Sequence, residues 1–567
     1  MNRRQFLSLS LAAPALAQRG EPQIEPVESM VPVDAPLLAI NHLGFLPQSR
    51  KIALLRYAGE DAPPQFVLRD IAGGGFRQTR PLKQVATDIV QCWTGDFSDV
   101  TRPGMYQVSV GEELSVPFFI RQDVWRRTLP KAVGYYRQQR CGVEVPNVHP
   151  VCHLDDARRR DTGEHIDTTG GWHDAGDLRK WMSATLLNGI ALLRLARNLG
   201  EKWDAAGSGL RALHEEVRWG NRYFLKMQDR DGLVWNDTAG GVNGDNSDNH
   251  WTDNQPGTKD DRYINPSKPG LVQAMFVTLQ AMSARDLGDR ACLQAALRCW
   301  KAWKPAGDTR TLSWAALAAL ELHRATGEDA YAAAATLLGG LLLGLQQTAY
   351  AGSQKEIRGY WRASETDAGP YANAVDSALP PLALLELASE FPSHRDARRW
   401  RDAVTMHLDN YLAPLAAHSP YDTIPYGVFD GAPTPETYRP LAGALTYRYF
   451  MPVRKQRWWI GNTSHLLCYA TLLAAAGRRD LAFRQLEWVM GANPFAACLM
   501  TGEGMRNPYP HSRFVGLIPG GIMNGIAGNM KDEPVLDTYN GFDWRTTEYW
   551  SPHNAWYIWA VSTLERG

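Results

Sequence analysis

The sequence lacks an excess of charge of either sign. Its 60 lysines and arginines face 60 aspartates and glutamates, so the formal net charge is zero. Nucleic-acid-binding domains usually carry a basic surplus, and nothing in this composition supports such a partner. The sequence also lacks an uninterrupted apolar run of about 18 residues, the length that a membrane-spanning helix needs. We therefore expect no membrane span in the mature protein.

Cysteine is scarce and scattered. The 567 residues include only 7 cysteines, an odd number that leaves at least one thiol unpaired, so a disulfide-rich scaffold is excluded. Aromatic residues, by contrast, are abundant, with 20 tryptophans and 21 tyrosines. Most such rings fill cores, but exposed rings form flat surfaces that suit sugars or peptides. The chain is too long for one ordinary core, so we expect several domains or one large ring-shaped domain.

Residues 1–17 have the features of an export signal. Arg3 and Arg4 precede a short apolar run, and Ala15-Leu16-Ala17 resembles a cleavage site. The arginine pair is typical of twin-arginine export, and the alternative is a general secretory signal in which the pair is fortuitous. The sequence predicts an exported protein, periplasmic or extracellular, with residues 18–35 as a linker.

The rest of the chain shows two kinds of hydrophobic pattern. Residues 36–122 contain short apolar or alternating stretches between turn clusters rich in proline and glycine, which is typical of a small β-sandwich. Residues 123–567 contain long apolar segments at helical period, enough for roughly eleven or twelve helices. Short links such as LGDRA, TGEDA and AGRRD join several of them in pairs. Irregular spacing and long polar loops favour a closed helical ring that carries a site over an open repeat array.

The stretch GGWHDAGDLRKW, residues 170–181, places Asp174 and Asp177 three residues apart beside several glycines. At this spacing the two side chains would project from one side of a helical turn, and the glycines would let other backbone approach closely. Two carboxylates held side by side repel each other, so one can keep a proton or hold a water molecule as a base. The alternative is that an aspartate caps the helix that follows, and the spacing leaves both interpretations open.

A third carboxylate, Glu548, lies near the C-terminus in WRTTEYWSPHNAW, residues 544–556. Apolar rings around a carboxyl group favour its protonated form and raise its pKa, as a general acid requires. The alternative is a loop glutamate paired with Arg545. The residues by themselves support both interpretations equally.

Four separated blocks of the sequence resemble glycoside hydrolase family 9, the cellulase family. GGWHDAGDLRKW resembles the family segment in which DAGD carries the catalytic base, and GANPFAACLMTGEGMRNPYPHSR (491–513) resembles its Gly-x-Asn-Pro to Pro-His-x-Arg block. Glu548, followed by Asn554-Ala555, is similar to the catalytic-acid segment. AINHLGFLPQSRKIALL and GDFSDVTRPGMYQVSVG resemble the immunoglobulin-like module that precedes the catalytic domain in one subgroup. The resemblance implies an immunoglobulin-like β-sandwich at 36–122, followed by an (α/α)6 barrel at 123–567 with an open cleft at one end.

The resemblance implies a role for each matching residue. Asp177 would be the general base that takes a proton from water, and Asp174 would help to hold that water. Glu548 would be the general acid that protonates the leaving oxygen. His511 and Arg513 would contact the sugar beside the scissile bond. The family inverts the anomeric configuration, which requires the acid and the base to stand roughly 6.5–9.5 Å apart.

Family members with the N-terminal module often carry a structural zinc ion near the DAGD turn. Here RCGVEVPNVHPVCH (140–153) would supply Cys141, Cys152 and His153, and His173 lies beside the first aspartate. Two thiolates and two imidazoles form the tetrahedral ligand set that zinc prefers in closed, non-catalytic sites.

Alternatives to this metal site remain open. Cys141 and Cys152 could form a disulfide in an oxidising compartment, with His173 merely packed beside them, and His149 is a competing ligand. Some family members also bind calcium. The acidic loop 243–261 offers oxygen ligands for Ca²⁺, although no ligand set can be assigned from its sequence.

The sequence departs from the family pattern at two positions near the acid. Thr547 stands where the family usually has asparagine, and His553 stands where it usually has an aromatic residue. In the family both positions lie next to the sugar, and a histidine there would carry charge below about pH 6.5 and would meet the substrate differently. The departures indicate an altered substrate preference within the same reaction class.

These features predict an inverting β-glycoside hydrolase, most simply a monomeric endo-β-1,4-glucanase that acts on cellulose or related β-glucans. The alternatives are an exo-acting β-glycosidase that releases mono- or disaccharides, including glucosamine-type units, and a non-catalytic carbohydrate-binding protein. Aromatic residues in predicted loops are the candidate sugar platforms: Trp235, Trp251, Tyr263, Trp361 and Trp544.

Overall fold

The computed structural model describes residues 37–56, 65–85, 92–204, 209–240, 252–352, 356–452, 460–511, 517–538 and 544–566. The predicted export signal and linker lie outside these ranges, as do two predicted substrate-binding residues, Trp251 and Arg513.

The N-terminal part is a sandwich of two sheets, as predicted. Its strands are β1 Leu37–Ala39, β2 Gly44–Phe45, β3 Ile52–Arg56, β4 Gln65–Asp70, β5 Arg77–Pro81, β6 Lys83–Val85, β7 Cys92–Asp96, β8 Gly104–Val110, β9 Glu113–Leu114 and β10 Phe118–Ile120. One sheet has the strand order β1-β3-β7-β6, and the other has the order β2-β10-β8-β4-β5, with β9 paired to β8. The rings of Phe45, Phe97 and Phe118 meet in the apolar core between the sheets.

Strand β3 shows how the sandwich joins the helical part. All five of its residues are buried. Ala53 and Leu55 belong to the core of the sandwich, whereas Ile52 and Leu54 belong to the core that continues into the helices. Successive residues of a strand face opposite sides, so this strand has an apolar partner on each face. The sandwich is therefore packed against the helical part through an apolar interface.

The described part of the chain contains twelve helices of ten residues or more. They are α1 Leu129–Gln138, α2 Met182–Leu199, α3 Leu210–Lys226, α4 Gly270–Leu287, α5 Arg290–Ala302, α6 Thr309–Thr326, α7 Asp329–Leu345, α8 Leu379–Glu390, α9 Ala397–His407, α10 Thr463–Ala475, α11 Arg479–Val489 and α12 Ser551–Glu565.

These helices form a closed double ring. Helices α2, α4, α6, α8, α10 and α12 form the inner ring, in which each helix packs against the next and α12 packs back against α2. Outside it, α3, α5, α7, α9 and α11 each pack against the inner helix that precedes them, and α1 packs against α12. The architecture is an (α/α)6 barrel, which confirms the prediction of a closed ring over an open array.

The predicted links between paired helices have the expected capping chemistry. Gly288 ends α4 with a left-handed φ of 68°, and the side chain of Asp289 then accepts from the backbone N–H groups of Ala291 and Cys292 at 2.9 and 3.3 Å to start α5. Gly327 ends α6 in the same way, with φ of 74°. A residue without Cβ adopts this conformation at no steric cost, so each glycine reverses the chain within a few residues.

Short sheets connect the loops of the ring. Strands β11 Arg158–Arg159, β12 Lys180–Trp181, β13 Asp237–Ala239 and β14 Tyr263–Asn265 form one sheet in the order β11-β14-β13-β12. This sheet ties the loop between α1 and α2 to the loop between α3 and α4. None of the described helices combines the length and apolarity needed to cross a membrane.

Candidate active site

The segment that carries Asp174 and Asp177 is a tight turn and not part of a helix. The N–H of Asp174 donates to the carbonyl of Arg179 at 2.7 Å, and the N–H of Arg179 donates to Oδ1 of Asp177 at 3.1 Å. Leu178 adopts a left-handed φ of 65° to close the turn. Helix α2 begins later, at Met182, and no side chain caps it. The expectation of a helical turn is therefore wrong, and so is the alternative in which an aspartate caps the helix.

The glycines before this turn have the predicted role. Gly170 and Gly171 both adopt positive φ, 87° and 77°. A Cβ added to Gly171 would meet the side chain of Tyr223 at 2.8 Å. A larger residue at 171 would push the turn away from α3, so Gly171 allows the close approach that the sequence indicated, whereas Gly170 meets nothing within 4 Å and supplies only the positive φ.

Asp174 is a buried carboxylate with a partner for each oxygen. Only 2% of its surface is exposed. Oδ1 accepts from the backbone N–H of Trp181 at 2.8 Å, and Oδ2 accepts from the indole N–H of Trp550 at 3.1 Å. Burial and the nearby charge of Asp177 raise the pKa of Asp174 to about 8. The charge of Asp177 thus acts on Asp174, as the spacing of the two carboxylates predicted.

The turn meets the segment of Glu548, so the start and the end of the helical ring come together. Ala175 forms an antiparallel bridge with Trp550, and the N–H of Ser551 donates to the carbonyl of Asp174 at 2.7 Å. Asp177 follows Ala175 by two residues, and Glu548 precedes Trp550 by two. Both carboxylates therefore lie within two residues of one bridge between the two segments.

The predicted substrate residue His511 lies beside Glu548. The N–H of His511 donates to the carbonyl of Thr547 at 3.1 Å, and a parallel bridge joins His511 to Glu548. Behind the same segment, the N–H of Asn524 donates to the carbonyl of Glu548 at 2.9 Å. The backbone of Glu548, whose surface is 9% exposed, is thus held from two sides.

His553 is not placed to meet a substrate, which corrects its prediction. The residue is fully buried, with Nδ1 against Oγ of Ser464 at 2.6 Å and Nε2 against Oδ1 of Asn524 at 2.8 Å. Burial lowers the pKa of His553 to about 3, so the ring is neutral where the sequence predicted a charge. Thr547 is also fully buried. These two departures from the family pattern face the interior and not the cleft.

Two of the predicted sugar platforms are also buried, and the prediction is wrong for them. Trp235 and Trp361 are 3% and 2% exposed, and the indole N–H of Trp361 donates to the carbonyl of Leu342 at 2.9 Å. Both rings lie in loops, but the loops fold inward and the rings extend the core. Tyr263 lies in β14 and Trp544 in the short helix Trp544–Thr547, and both are half-buried.

The structure shows exposed aromatic rings that the sequence analysis did not select. Trp181 is 38% exposed and lies four residues after Asp177, with the guanidinium of Arg179 4.6 Å from its ring centroid. Exposure alternates along this stretch, so Asp177, Arg179 and Trp181 are accessible while Leu178 and Lys180 are buried. Tyr509, two residues before His511, is 52% exposed. The residue types carried no signal for this, because the buried position 180 is a lysine and the exposed position 181 is a tryptophan.

The four predicted metal ligands form one buried cluster. Ligand atoms of Cys141, Cys152, His153 and His173 all lie within 4.8 Å of one another. Sγ of Cys141 is 3.8 Å from Nδ1 of His153, and Sγ of Cys152 is 3.6 Å from Nε2 of His173. Metal–sulfur and metal–nitrogen bonds of usual length around a tetrahedral zinc ion place such atoms about 3.6 Å apart. The spacing therefore fits a tetrahedral metal site.

The protonation of the cluster also suits a metal. Burial raises the pKa of the Cys141 thiol, but the hydrogen bond with Cys152 and the nearby charge of Lys180 outweigh this effect and hold the pKa well below its ordinary value. The same hydrogen bond, together with burial, raises the pKa of Cys152, so one of the two sulfurs is a thiolate and the other a thiol before a metal binds. Burial lowers the pKa of His173 to about 4, which leaves a neutral ring. A thiolate and a neutral imidazole are the forms that bind metal ions.

Buried charges connect this cluster to the turn of the aspartates. Arg262 donates to Asp156 through Nε and Nη2 at 2.8 and 2.6 Å, to Sγ of Cys141 at 3.7 Å and to the carbonyl of Leu178 at 2.6 Å. Lys180 pairs with the same Asp156, and all three charged side chains are inaccessible to solvent. One arginine therefore contacts both a metal-ligand cysteine and the turn that carries Asp177.

A second group of carboxylates occurs in the acidic loop for which calcium was considered. Oxygens of Asp155, Asp260 and Asp261 lie within 4.8 Å of one another. Asp261 accepts from Arg158 and from the N–H groups of Gly257 and Thr258, at 2.8, 2.8 and 3.1 Å. These partners are sufficient for Asp261 without an ion, and part of the loop, residues 241–251, lies outside the described residues. Calcium binding stays a prediction.

Comparisons with known proteins agree with this architecture. The family model described as Glycosyl hydrolase family 9 matches residues 125–519, and the one described as Cellulase N-terminal ig-like domain matches residues 34–115. Glu548 lies beyond the first match.

A cellodextrinase from Butyrivibrio fibrisolvens is 26% identical over 221 residues, which are 35% of this chain and 38% of that protein. A xyloglucan-specific endo-beta-1,4-glucanase from Bacteroides ovatus is 27% identical over 237 residues, 37% of this chain and 39% of that protein. The aligned regions thus span under half of the length of these curated relatives.

Solved structures share the fold over almost the whole chain. A metagenome-derived glycoside hydrolase family 9 endoglucanase superposes with a TM-score of 0.68 at 22% identity, covering 93% of this chain and 99% of that one. A zinc-binding triple mutant of a family 9 endoglucanase superposes with a TM-score of 0.66 at 24% identity, covering 92% and 99%. The family match covers more than half of the sequence, and both domains of the fold agree with it. The chain belongs to glycosyl hydrolase family 9.

Proposed function

We propose that the protein is an inverting β-glycoside hydrolase, most simply an endo-β-1,4-glucanase that acts on cellulose or related β-glucans. The observation that carries the proposal is the junction between the turn of Asp174 and Asp177 and the segment of Glu548, which brings carboxylates from opposite ends of the ring to one place. An inverting hydrolase needs one carboxyl group to protonate the leaving oxygen and another to activate water. The names of the curated relatives support a β-1,4-linked glucan as the substrate class.

The environments of the three carboxylates support different roles. Asp177 is half-buried, so it can reach a water molecule in the cleft, and it is the proposed general base. Asp174 is buried with both oxygens already accepting N–H groups, which suits it to orient that water. Glu548, two residues before Trp550 in the segment that meets the turn of these aspartates, is the proposed general acid. Protonation of the leaving oxygen and attack by water from the opposite face then occur in one step.

The exposed surface beside the base supports a sugar-binding role for Trp181. One face of its ring is covered by the guanidinium of Arg179, and more than a third of the residue is accessible, at 38%. Amphipathic rings of this kind offer a flat contact for a sugar. His511 and Arg513 stay the proposed contacts to the sugar at the scissile bond.

Two substitutions test the proposed chemistry. Asp177→Asn and Glu548→Gln should each lower turnover of a soluble β-1,4-glucan by about 10² to 10⁴-fold while circular dichroism stays unchanged, because each removes one proton-transfer group. Proton NMR of the first product should show the α-anomer from a β-linkage. Turnover near the wild-type rate in either variant, or a β-anomeric first product, would contradict the assignment.

We also propose that the cluster of Cys141, Cys152, His153 and His173 holds a structural Zn²⁺ ion. A closed site of four protein ligands would supply cross-linking of loops and no chemistry to the reaction. The buried cluster with tetrahedral spacing supports this proposal over a Cys141–Cys152 disulfide. Metal analysis of the purified protein should find about one zinc per chain, and mass spectrometry should find both thiols reduced after the metal is removed. Two hydrogens fewer than expected would indicate the disulfide instead.

An exo-acting enzyme is the second candidate, and the name of one relative, a cellodextrinase, favours short glucan chains as substrates. The two candidates differ in their products from a defined cellohexaose. An endo-acting enzyme yields several intermediate lengths at early times, whereas an exo-acting enzyme yields one short product and its complement. A chitosan oligosaccharide in the same assay tests the glucosamine-type variant of this candidate.

Export is proposed from the N-terminal sequence, because the paired arginines and the short apolar run are typical of a twin-arginine signal. Arg3→Lys and Arg4→Lys together should leave the protein in the cytoplasm of an expression host. Continued export of this variant would favour the general secretory route.

A further inference from the structure

Trp550 connects the segment of the proposed acid to the carboxylate of Asp174. Its backbone forms the bridge with Ala175, and its indole Nε1–H donates to Oδ2 of Asp174 at 3.1 Å. The next residue, Ser551, donates its N–H to the carbonyl of the same aspartate at 2.7 Å. Main chain and side chain of one short segment therefore hold Asp174 at two of its oxygen atoms.

We propose that Trp550 is a positioning residue for hydrolysis, whose indole N–H fixes the Asp174 carboxylate and through it the water that attacks the sugar. The inference rests on the function proposed above and assigns a role that the three carboxylates alone do not explain. It concerns orientation only, because the indole touches Asp174 and not the reacting atoms.

The chemistry of the indole group suits this role. An indole N–H donates one hydrogen bond and cannot accept any, so it cannot compete with Asp174 for the proton of the water. The carboxyl group of Asp174 keeps acceptor capacity on both oxygens in its ionised and its protonated form, and the bonds from Trp181 and Trp550 use one position on each oxygen. Two donors from different segments prevent rotation of the carboxylate and leave its other lone pairs for a water molecule.

The ring of Trp550 is itself held in place. It packs edge-to-face against His553, with ring centroids 5.5 Å apart, and His553 is fixed by Ser464 and Asn524. The N–H of His553 donates to the carbonyl of Trp550 at 3.0 Å. Because its neighbours are rigid, the donor keeps one direction, which a flexible side chain such as lysine would not provide.

Two substitutions separate the N–H group from the bulk of the ring. Trp550→Phe keeps an apolar ring and removes the donor. Trp550→His removes the outer ring but keeps a donor, because Nε2 of an imidazole occupies the same ring position as Nε1 of an indole. Trp300→Phe is the matched control, since Trp300 is a half-buried tryptophan on α5 that packs against Trp303 and Tyr331 and makes no contact with Asp174.

The assay compares two substrates at about pH 7.5, where an ordinary imidazole is neutral. Cellohexaose has a poor leaving group and needs the acid, whereas 2,4-dinitrophenyl β-cellobioside has a leaving group that departs without protonation. We expect Trp550→Phe to lower kcat by about 10- to 100-fold on both substrates with KM within about twofold of wild type. Trp550→His should recover about tenfold of this loss, and Trp300→Phe should behave as wild type.

Each other outcome overturns the inference. A wild-type kcat in Trp550→Phe means that the N–H is dispensable, and equal losses in Trp550→Phe and Trp550→His mean that the bulk of the ring matters instead. A defect that disappears with the dinitrophenyl substrate places the action of Trp550 on Glu548. If Trp550→Phe does not fold, the test rests on Trp550→His alone. A kcat of this variant below a tenth of the wild-type value then overturns the inference. Activity near wild type in Asp177→Asn would refute the proposed function itself, independently of Trp550.

Discussion

Buried His553 makes the stability of the protein depend on pH, and the size of this effect follows from its surroundings. Burial lowers the pKa of His553 to about 3, against 6.5 for an ordinary histidine. Between these two values the unfolded chain binds a proton that the folded protein does not. The free energy of unfolding therefore rises with pH across this window and falls as the solution is acidified from pH 6.5 towards pH 3. The loss at pH 5, relative to pH 8, is about 2 kcal/mol for this one residue.

The perturbation is His553→Gln, which keeps a polar side chain but removes the titrating group. At pH 8 the variant should be less stable than wild type, because the hydrogen bonds with Ser464 and Asn524 are disturbed. The difference should shrink by about 2 kcal/mol when urea unfolding is measured at pH 5, since only wild type incurs the protonation cost.

The control for this experiment is Ser464→Ala. It removes one hydrogen bond of the ring but leaves the buried histidine, so it should lower stability by about 1 kcal/mol at both pH values and keep the acid sensitivity of wild type. If the difference between wild type and His553→Gln is the same at pH 5 and pH 8, His553 is not a neutral buried ring, and the correction of its predicted role is wrong.

Three further predictions concern the cleft and the metal cluster. Trp181→Ala should raise KM for cellohexaose by about 3- to 10-fold, because it removes a stacking surface for the sugar. The kcat on the dinitrophenyl substrate should change little. An unchanged KM for cellohexaose would show that Trp181 is not part of the binding site. Glu216→Gln should lower the melting temperature and the zinc content together, because the buried Glu216 binds both Arg140 and the indole N–H of Trp172, the residues beside two of the proposed metal ligands, and the substitution removes the ion pair with Arg140. A lower melting temperature with full zinc content would separate the two effects. Dialysis against a chelator should lower the melting temperature, and added Zn²⁺ but not Mg²⁺ should restore it.

The architecture could be predicted because it depends on patterns within short segments. Apolar period and capping residues such as Asp289 identify each helix locally, and a short apolar run between turn signals identifies β3. The closure of the ring could not be predicted in this way, because contacts between α2 and α12 join residues more than 350 positions apart. The prediction of a closed ring rested on the irregular spacing and long loops together with the family resemblance, and the clustering of the four metal ligands rested on the resemblance alone.

The errors have a common physical cause. Trp235, Trp361 and His553 were assigned to the surface from their place in the sequence, but their burial depends on partners elsewhere in the chain. Trp361 lies in a loop, yet its indole is satisfied by the carbonyl of Leu342, and His553 is satisfied by Ser464. A loop residue with a distant partner has no local signal of burial, so exposure was the weakest part of the sequence analysis.

The turn of the two aspartates is held by directional contacts rather than by apolar packing, and this explains why buried charges surround it. Arg262, Lys180 and Asp156 form an ion group inaccessible to solvent, and apolar residues of similar size could stabilise the fold equally well. Apolar contacts, however, have no preferred direction, whereas the bond from Arg262 to the carbonyl of Leu178 fixes one atom of the turn.

A misplacement of about 1 Å in a catalytic group can cost a hundredfold in rate. Removing one partner of a buried ion group leaves an uncompensated charge at a cost of about 3–5 kcal/mol, so the network resists any displacement of the turn that would break one of its bonds. The cluster that contains Cys141 contacts Arg262, Arg262 bonds to Leu178 in the turn, and Trp550 bonds to Asp174, so these directional contacts hold the turn beside the segment of Glu548.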